Sequence, residues 1–235
     1  MTKVISLVIA EAALEKIPVN IIDHPSVTNH ARKLGRRPSE ILLDRSYHHA
    51  AMLSSKLEYA WKRGRPDLVH FALIEALSTP LFFNNLLQVY VSTINNQVVY
   101  IGENLRIPKS YPRFQGLMID LFKKYHIKEG KNATLLKLQN NVSLNSLIND
   151  IIKPYKVIGF SRTGVQSTPE NIISTHISKD NCRCVFIIGG FPSGHFTENT
   201  KRVCDYLYSI GNYSLEAHVV IARILYECEK VLSVQ

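Results

Sequence analysis

Apolar and polar positions along the chain follow two rhythms. Compact apolar runs bounded by Gly, Pro, Asn or charged residues read as buried strands. Val4–Ile9, Leu86–Val91, Gln97–Ile101, Lys156–Phe160, Cys184–Ile188 and Tyr206–Ile210 fit this pattern, and Val19–Ile22 and Ile41–Leu43 fit it over shorter lengths. Elsewhere apolar residues recur every three or four positions, as on one face of a helix. Phe114, Leu117, Met118, Leu121, Phe122 and Tyr125 make such a face over Phe114–Tyr125. Helices are also predicted over Ala10–Lys16, Asn29–Leu34, Asp67–Leu77, Ser143–Ile152 and Leu215–Leu232, the last with Ile221, Leu225, Cys228 and Leu232 in one stripe. Asp44–Gly64 is polar and reads as irregular. Asn95-Asn96 joins two strands as a hairpin turn would. The alternation of strands and helices predicts an α/β fold, with a mostly parallel sheet flanked by helices and the hairpin as a small insertion.

Composition narrows the partners. Of 235 residues, 46% are hydrophobic, enough for a sizeable core. The 28 Lys and Arg outnumber 19 Asp and Glu, and a net charge of +9 favours polyanions. No apolar run approaches the roughly 18 residues of a membrane span, and Glu11 and Glu15 interrupt the first apolar stretch. A cytoplasmic protein with no membrane partner is expected, so the sequon at Asn132 carries no weight. Cys182, Cys184, Cys204 and Cys228 show no Cys-x-x-Cys or zinc spacing and read as reduced thiols. The adjacent His48 and His49 point in different directions on any regular element, so no metal is expected.

Candidate chemistry gathers in loops. The strand CVFII runs straight into Gly189-Gly190, Pro192 and Gly194, and glycines there let a backbone approach a ligand closely. The spacing matches neither a dinucleotide fingerprint nor a P-loop. A second loop, Gly211-Asn212-Tyr213-Ser214-Leu215, follows the strand Tyr206–Ile210. Two such loops can close a pocket for an adenosine-like ligand; the plainer reading is a pair of tight turns, with Ser214 capping the last helix. Basic residues cluster before two helices, as Arg63-Gly64-Arg65-Pro66-Asp67 and as Arg106 to Arg113. Pro112 suits a first helical turn, which puts Arg113 where helix amides favour phosphate. Tyr111 is placed to stack on a base and Phe114 to join the core. Asp67 is open to capping the helix, to orienting Arg65, or to accepting a proton.

Five ordered segments then carry a resemblance: ILLDRSYHHAAM, GRPDLVHFALIEAL, RIPKSYPRFQGLM, FIIGGFPSGHF and SIGNYSLEA. Together they resemble the archaeal and eukaryotic ribosome-biogenesis pseudouridine N1-methyltransferases of the SPOUT class, over nearly the whole chain. The resemblance implies one SPOUT domain over residues 1–235, with RNA-binding segments near 44–67 and 104–114 and a trefoil-knotted cofactor region near 155–232. It implies S-adenosylmethionine as cofactor, held by Ser161, Gly189, Gly194, Ile210, Gly211, Asn212, Tyr213, Ser214 and Leu215. Arg65, Arg106, Lys109 and Arg113 match RNA-contacting positions, and Arg65 and Asp67 carry the catalytic role. Small-subunit rRNA, a second copy of the chain, and ribosomal proteins or assembly factors are the implied partners. Lys109 stands where arginine is usual, Ser193 replaces a common histidine, and Gly211 and Ser214 vary the second loop. Two other readings stay open: an RNA-binding assembly factor without catalysis, and a SPOUT enzyme acting on another RNA.

Overall fold

The computed structural model describes residues 5–130, 133–154, 156–178 and 183–234. Val4, Asn132 and Cys182 lie outside the described residues. One eight-stranded sheet organises the chain, in the order β4-β5-β3-β2-β1-β7-β6-β8. Its strands are β1 (Ile5–Ala12), β2 (Leu87–Thr93), β3 (Val98–Ile101), β4 (His126–Glu129), β5 (Ala133–Gln139), β6 (Lys156–Gln166), β7 (Cys184–Gly189) and β8 (Tyr206–Ser209). β2, β1, β7, β6 and β8 run parallel to one another, and β3, β5 and β4 continue the sheet antiparallel. The expected hairpin is present, and its first strand is built into the sheet, because β2 pairs in parallel with β1.

Helices cover both faces. α1 (Pro25–Lys33), α2 (Arg45–Ser54), α3 (Pro66–Leu77), α4 (Pro80–Phe83) and α5 (Tyr111–Lys124) belong to the first half. α6 (Leu144–Ser146), α7 (Pro169–His176), α8 (Glu198–Arg202) and α9 (Ala217–Leu232) belong to the second. The largest core joins the sheet to α3, α5, α7 and α9, with Phe114, Met118, Phe186, Ile221 and Leu225 fully buried or nearly so. The predicted stripe on α9 therefore packs inside the protomer, with Leu232 at its margin. Val8, Val157, Val185 and Ile187 face a second core on the other side, as β-alternation requires.

Several elements differ from expectation. Ala10–Lys16 is not helical. β1 runs to Ala12 with an irregularity at residues 10–11, where Glu11 has φ +50°, and the following residues are buried loop. The helix propensity of Ala, Leu and Glu loses here to burial, because both glutamates turn inward to basic partners. Val19–Ile22 is a single tight 3₁₀ turn, and Ile41–Leu43 contributes only the bridge Lys16–Leu42. Asp44–Gly64 contains α2, whose buried face is His48, Ala51 and Met52, too polar to show as apolar periodicity. Its start was signalled by Asp44, which accepts a hydrogen bond from the Ser46 amide at 2.9 Å. Ser143 does cap the helix that begins there, but the helix widens into a π turn over Leu147–Ile152.

A candidate cofactor cleft beside a basic face

A cleft of about 330 Å³ opens at the carboxyl ends of β6, β7 and β8, the place where parallel sheets bind ligands. Phe160 and Ser161 end β6's buried stretch, Ile188 and Gly189 end β7, and Tyr208 and Ser209 end β8. The loop after β7 and the loop after β8 form the two walls, so both glycine-bearing loops meet, as the sequence suggested. Ser161, Gly189, Gly194, Ile210, Gly211, Tyr213, Ser214 and Leu215 all line this cleft. Asn212 does not; its side-chain carbonyl accepts a hydrogen bond from Gln166 Nε2 at 2.7 Å and so fastens the loop to β6. α9 begins at Ala217 with Glu216 at its N-cap, so Ser214 caps nothing and faces the cleft.

Two glycines are dictated by space. Gly194 has φ +92°, a backbone region that side chains strain, and a Cβ there would lie 3.3 Å from Trp61 Nε1. At Gly189 a Cβ would press to 2.7 Å from the Phe191 ring, which folds back over the strand end. Both glycines therefore let an aromatic side chain, Phe191 or Trp61, pack tightly against the loop that walls the cleft.

The β7–α8 loop is held from behind by the residues that precede Arg65. Lys62, only 2% exposed, donates to the Glu11 carboxylate and to the His195 carbonyl, and its Nζ sits 4.1 Å from the Phe191 ring centroid. Glu11 also accepts from the Thr197 amide at 2.8 Å and the Thr197 hydroxyl at 2.9 Å. Ser193 Oγ donates to the Trp61 carbonyl at 3.0 Å. Arg63 is spent on structure too, with its Nε donating to Glu15 at 2.8 Å. That hydrogen bond is the main reason its pKa is raised. None of Lys62, Glu11 or Glu15 was singled out as a site residue. Their signal in the sequence was charge inside an otherwise apolar run and beside a basic one.

Arg65 and Asp67 meet at the start of α3. Arg65 Nε donates to Asp67 Oδ1 at 2.9 Å and Nη2 to Oδ2 at 2.8 Å, a two-point fork that raises the arginine's pKa. Arg65 is itself the N-cap residue, and Asp67 is its hydrogen-bond partner rather than the helix cap. Leu68, one residue on, lines the cleft, and Glu216 on the cleft wall and Asp44 both act on the Arg65 charge. The Arg65–Asp67 pair thus stands beside the cleft.

A second basic segment lies alongside. His70 Nε2 donates to the Pro108 carbonyl at 2.6 Å while its ring stacks on Phe114, which ties the 102–110 loop to α3. Arg106, Lys109 and Arg113 are exposed there and make no ion pair among the described residues. Pro112 falls in the first turn of α5 and Phe114 is fully buried, as predicted. Tyr111 is not a free base-stacking ring. Its hydroxyl donates to Asp44 at 3.0 Å, and burial followed by the nearby Asp44 charge pushes its pKa far up.

Residues 7–229 match the family model described as EMG1/NEP1 methyltransferase. The ribosomal RNA small subunit methyltransferase Nep1 of Pyrococcus furiosus is 39% identical over 211 residues, covering 88% of this chain and 90% of that one. Nep1 of Thermococcus kodakarensis is 39% identical over 226 residues, covering 96% and 98%. The crystal structure of Archaeoglobus fulgidus Nep1 bound to S-adenosylhomocysteine superposes with a TM-score of 0.83 at 36% identity, over 97% of this chain and 98% of that one. The cleft, the Arg65–Asp67 pair and the basic loop are thus set in a fold and a sequence shared with these enzymes, and the chain belongs to the EMG1/NEP1 methyltransferase family.

Proposed function

We propose that the protein methylates N1 of a pseudouridine in small-subunit ribosomal RNA, using S-adenosylmethionine. The observation that carries this reading is the position of the forked Arg65–Asp67 pair at the rim of a strand-end cleft, in a chain of this family.

The cofactor fits the residues present. Gly189 and Gly194 line the cleft beside Phe191, and a solved relative holds the demethylated cofactor. Ser161, Gly189, Gly194, Ile210, Gly211 and Tyr213–Leu215 would hold it. S-Adenosylmethionine supplies an electrophilic methyl group on a sulfonium. The protein's own work is on the base. Pseudouridine is joined to its sugar through carbon, which leaves N1 as an N–H. As that proton passes to solvent water, negative charge spreads to the flanking carbonyl oxygens. Arg65, held in one orientation by Asp67, brings a fixed positive charge and its remaining N–H donors to that charge. Arg106, Lys109 and Arg113 bind the phosphates that bring the nucleotide in, with lysine at 109 acting as a point charge rather than a fork. The target base is flipped out of its stack to reach the cleft.

The reading extends to architecture. Residues 1–235 form one SPOUT domain whose region 155–232 is knotted, a reading supported by the family match over residues 7–229. Two copies pair through the exposed aromatic face of α3, α4 and α9, where Phe71, Phe83 and Tyr226 are more than half exposed. The setting is cytoplasmic ribosome assembly, with ribosomal proteins or assembly factors nearby; among the described residues no helix is long and apolar enough to cross a membrane.

The test is methyl transfer from labelled S-adenosylmethionine to an rRNA hairpin carrying pseudouridine or uridine at the target position. Label on the pseudouridine hairpin alone is the expected result. Binding of both hairpins without transfer would favour the assembly-factor reading.

A further inference from the structure

A buried polar chain on the far side of Asp44 ends at an exposed aromatic ring. The Asp44 amide donates to His48 Nδ1 at 3.0 Å, which leaves the His48 proton on Nε2. That proton is shared with His30 Nδ1 at 2.9 Å. His48 is fully buried and His30 nearly so. The Tyr47 ring lies flat on His30, with centroids 3.9 Å apart and planes 14° from parallel. Its other face is open, and the residue is 55% exposed. Two histidines and a helix-capping aspartate are thus committed to holding one surface ring in one orientation.

The ring stands beside the proposed substrate site. The Arg45 amide donates to the Gly64 carbonyl at 2.8 Å, so the first turn of α2 is fastened next to Arg65. Asp44, the α2 cap, takes the Tyr111 hydroxyl from the start of α5. Beyond His30, α1 ends in exposed Arg32 and Lys33, followed by exposed Arg36 and Arg37. An open aromatic face with a basic flank on either side is the arrangement that holds a single-stranded base and its phosphates.

We infer that Tyr47 is a stacking platform for an unpaired rRNA base close to the methylated nucleotide, with Arg32, Lys33, Arg36 and Arg37 holding the adjoining backbone. The inference rests on the rRNA reading above and assigns the α1–α2 face to the RNA footprint. It explains why a ring is oriented so rigidly where solvent alone would tolerate any side chain.

The test uses the full chain and the pseudouridine hairpin with 2-aminopurine placed in turn at unpaired positions around the target. In the wild type and in Tyr47→Phe, binding quenches the fluorescence at one position. In Tyr47→Leu, which keeps an apolar cover on His30, that quench is lost and the hairpin Kd rises about 5- to 100-fold. S-Adenosylhomocysteine affinity, measured by calorimetry on the same samples, stays at the wild-type value and shows that the fold is intact. Arg36→Ala with Arg37→Ala lowers the salt dependence of hairpin binding. If the wild type methylates the hairpin and Tyr47→Leu binds it with unchanged Kd and unchanged quench, Tyr47 is no platform while the enzyme assignment stands. If the wild type neither binds nor methylates, both fall.

Discussion

Asp67 grips Arg65 from two residues away through two parallel hydrogen bonds, at 2.9 and 2.8 Å, at the first turn of α3. The carboxylate takes the guanidinium's Nε and Nη2 donors and fixes where the group points. Replacing Asp67 by Ala frees the arginine to rotate without touching the cleft. Turnover is expected to fall about 10- to 1,000-fold, in the range for losing an aligned donor, with S-adenosylhomocysteine affinity within about twofold. Single-turnover kinetics and calorimetry separate the two; weakened cofactor binding with normal turnover would overturn the assignment.

Lys62→Met leaves the Glu11 carboxylate buried against Thr197 without its cation. Removing one member of a buried pair costs on the order of 3–5 kcal/mol, whereas replacing both members is far milder. Urea unfolding should show a large loss for Lys62→Met and partial recovery when Glu11→Gln is added. Because Lys62 also holds the His195 carbonyl, the single variant should bind S-adenosylhomocysteine more weakly.

Gly194→Ala places a Cβ at φ +92° and 3.3 Å from the Trp61 ring. The backbone term alone is about 1–2 kcal/mol. Cofactor affinity should fall about tenfold while hairpin affinity holds, and adding Trp61→Ala should recover only the steric part.

Burial, and then the neighbouring His30, lower the pKa of His48 to about 4. Burial lowers that of His30 as well. In the unfolded chain both titrate near 6.5, so between 6.5 and 4 the unfolded state binds more protons. Stability is therefore full above the unfolded value and declines as pH falls toward 4, by up to about 1.4 kcal/mol per pH unit for His48. Urea midpoints measured from pH 7.5 to 4.5 should show this slope, and His48→Gln should flatten it.

Arg106, Lys109 and Arg113 are exposed and make no ion pair among the described residues. Each replacement by Ala should weaken hairpin binding uniformly across sequences and reduce the slope of log Kd against log salt by about one. A slope equal to the wild type's in the triple variant would place the phosphates elsewhere.

The strands that build the cleft were legible because each is a short apolar run entering a glycine or polar loop, as at Cys184–Gly189. The family-bearing segments located its walls, and only Asn212 turned away to Gln166. What pattern could not reveal was where charge goes inward. Glu11, Glu15, Lys62 and Arg63 look like solvated residues one at a time, and become a buried frame only when residues some 50 positions apart meet. That pairing also explains the false helix at Ala10–Lys16. α2 leaves no apolar periodicity because its inner face is led by a histidine, and the alternation of β5, Leu136 and Leu138 inward with Lys137 and Gln139 outward, is too brief to mark a strand.

β7 is paired on both sides, with β1 at one edge and β6 at the other, yet it is among the last strands in the chain. Until a ribosome has extruded nearly 190 residues, the edge of β1 that β7 will cover keeps its backbone N–H and C=O groups unpaired. The first half of the protein is then a partly finished sheet, open to any other extended strand. The protein is therefore exposed to mispairing during translation, and its yield at a given growth temperature should depend on chaperones that shield nascent chains.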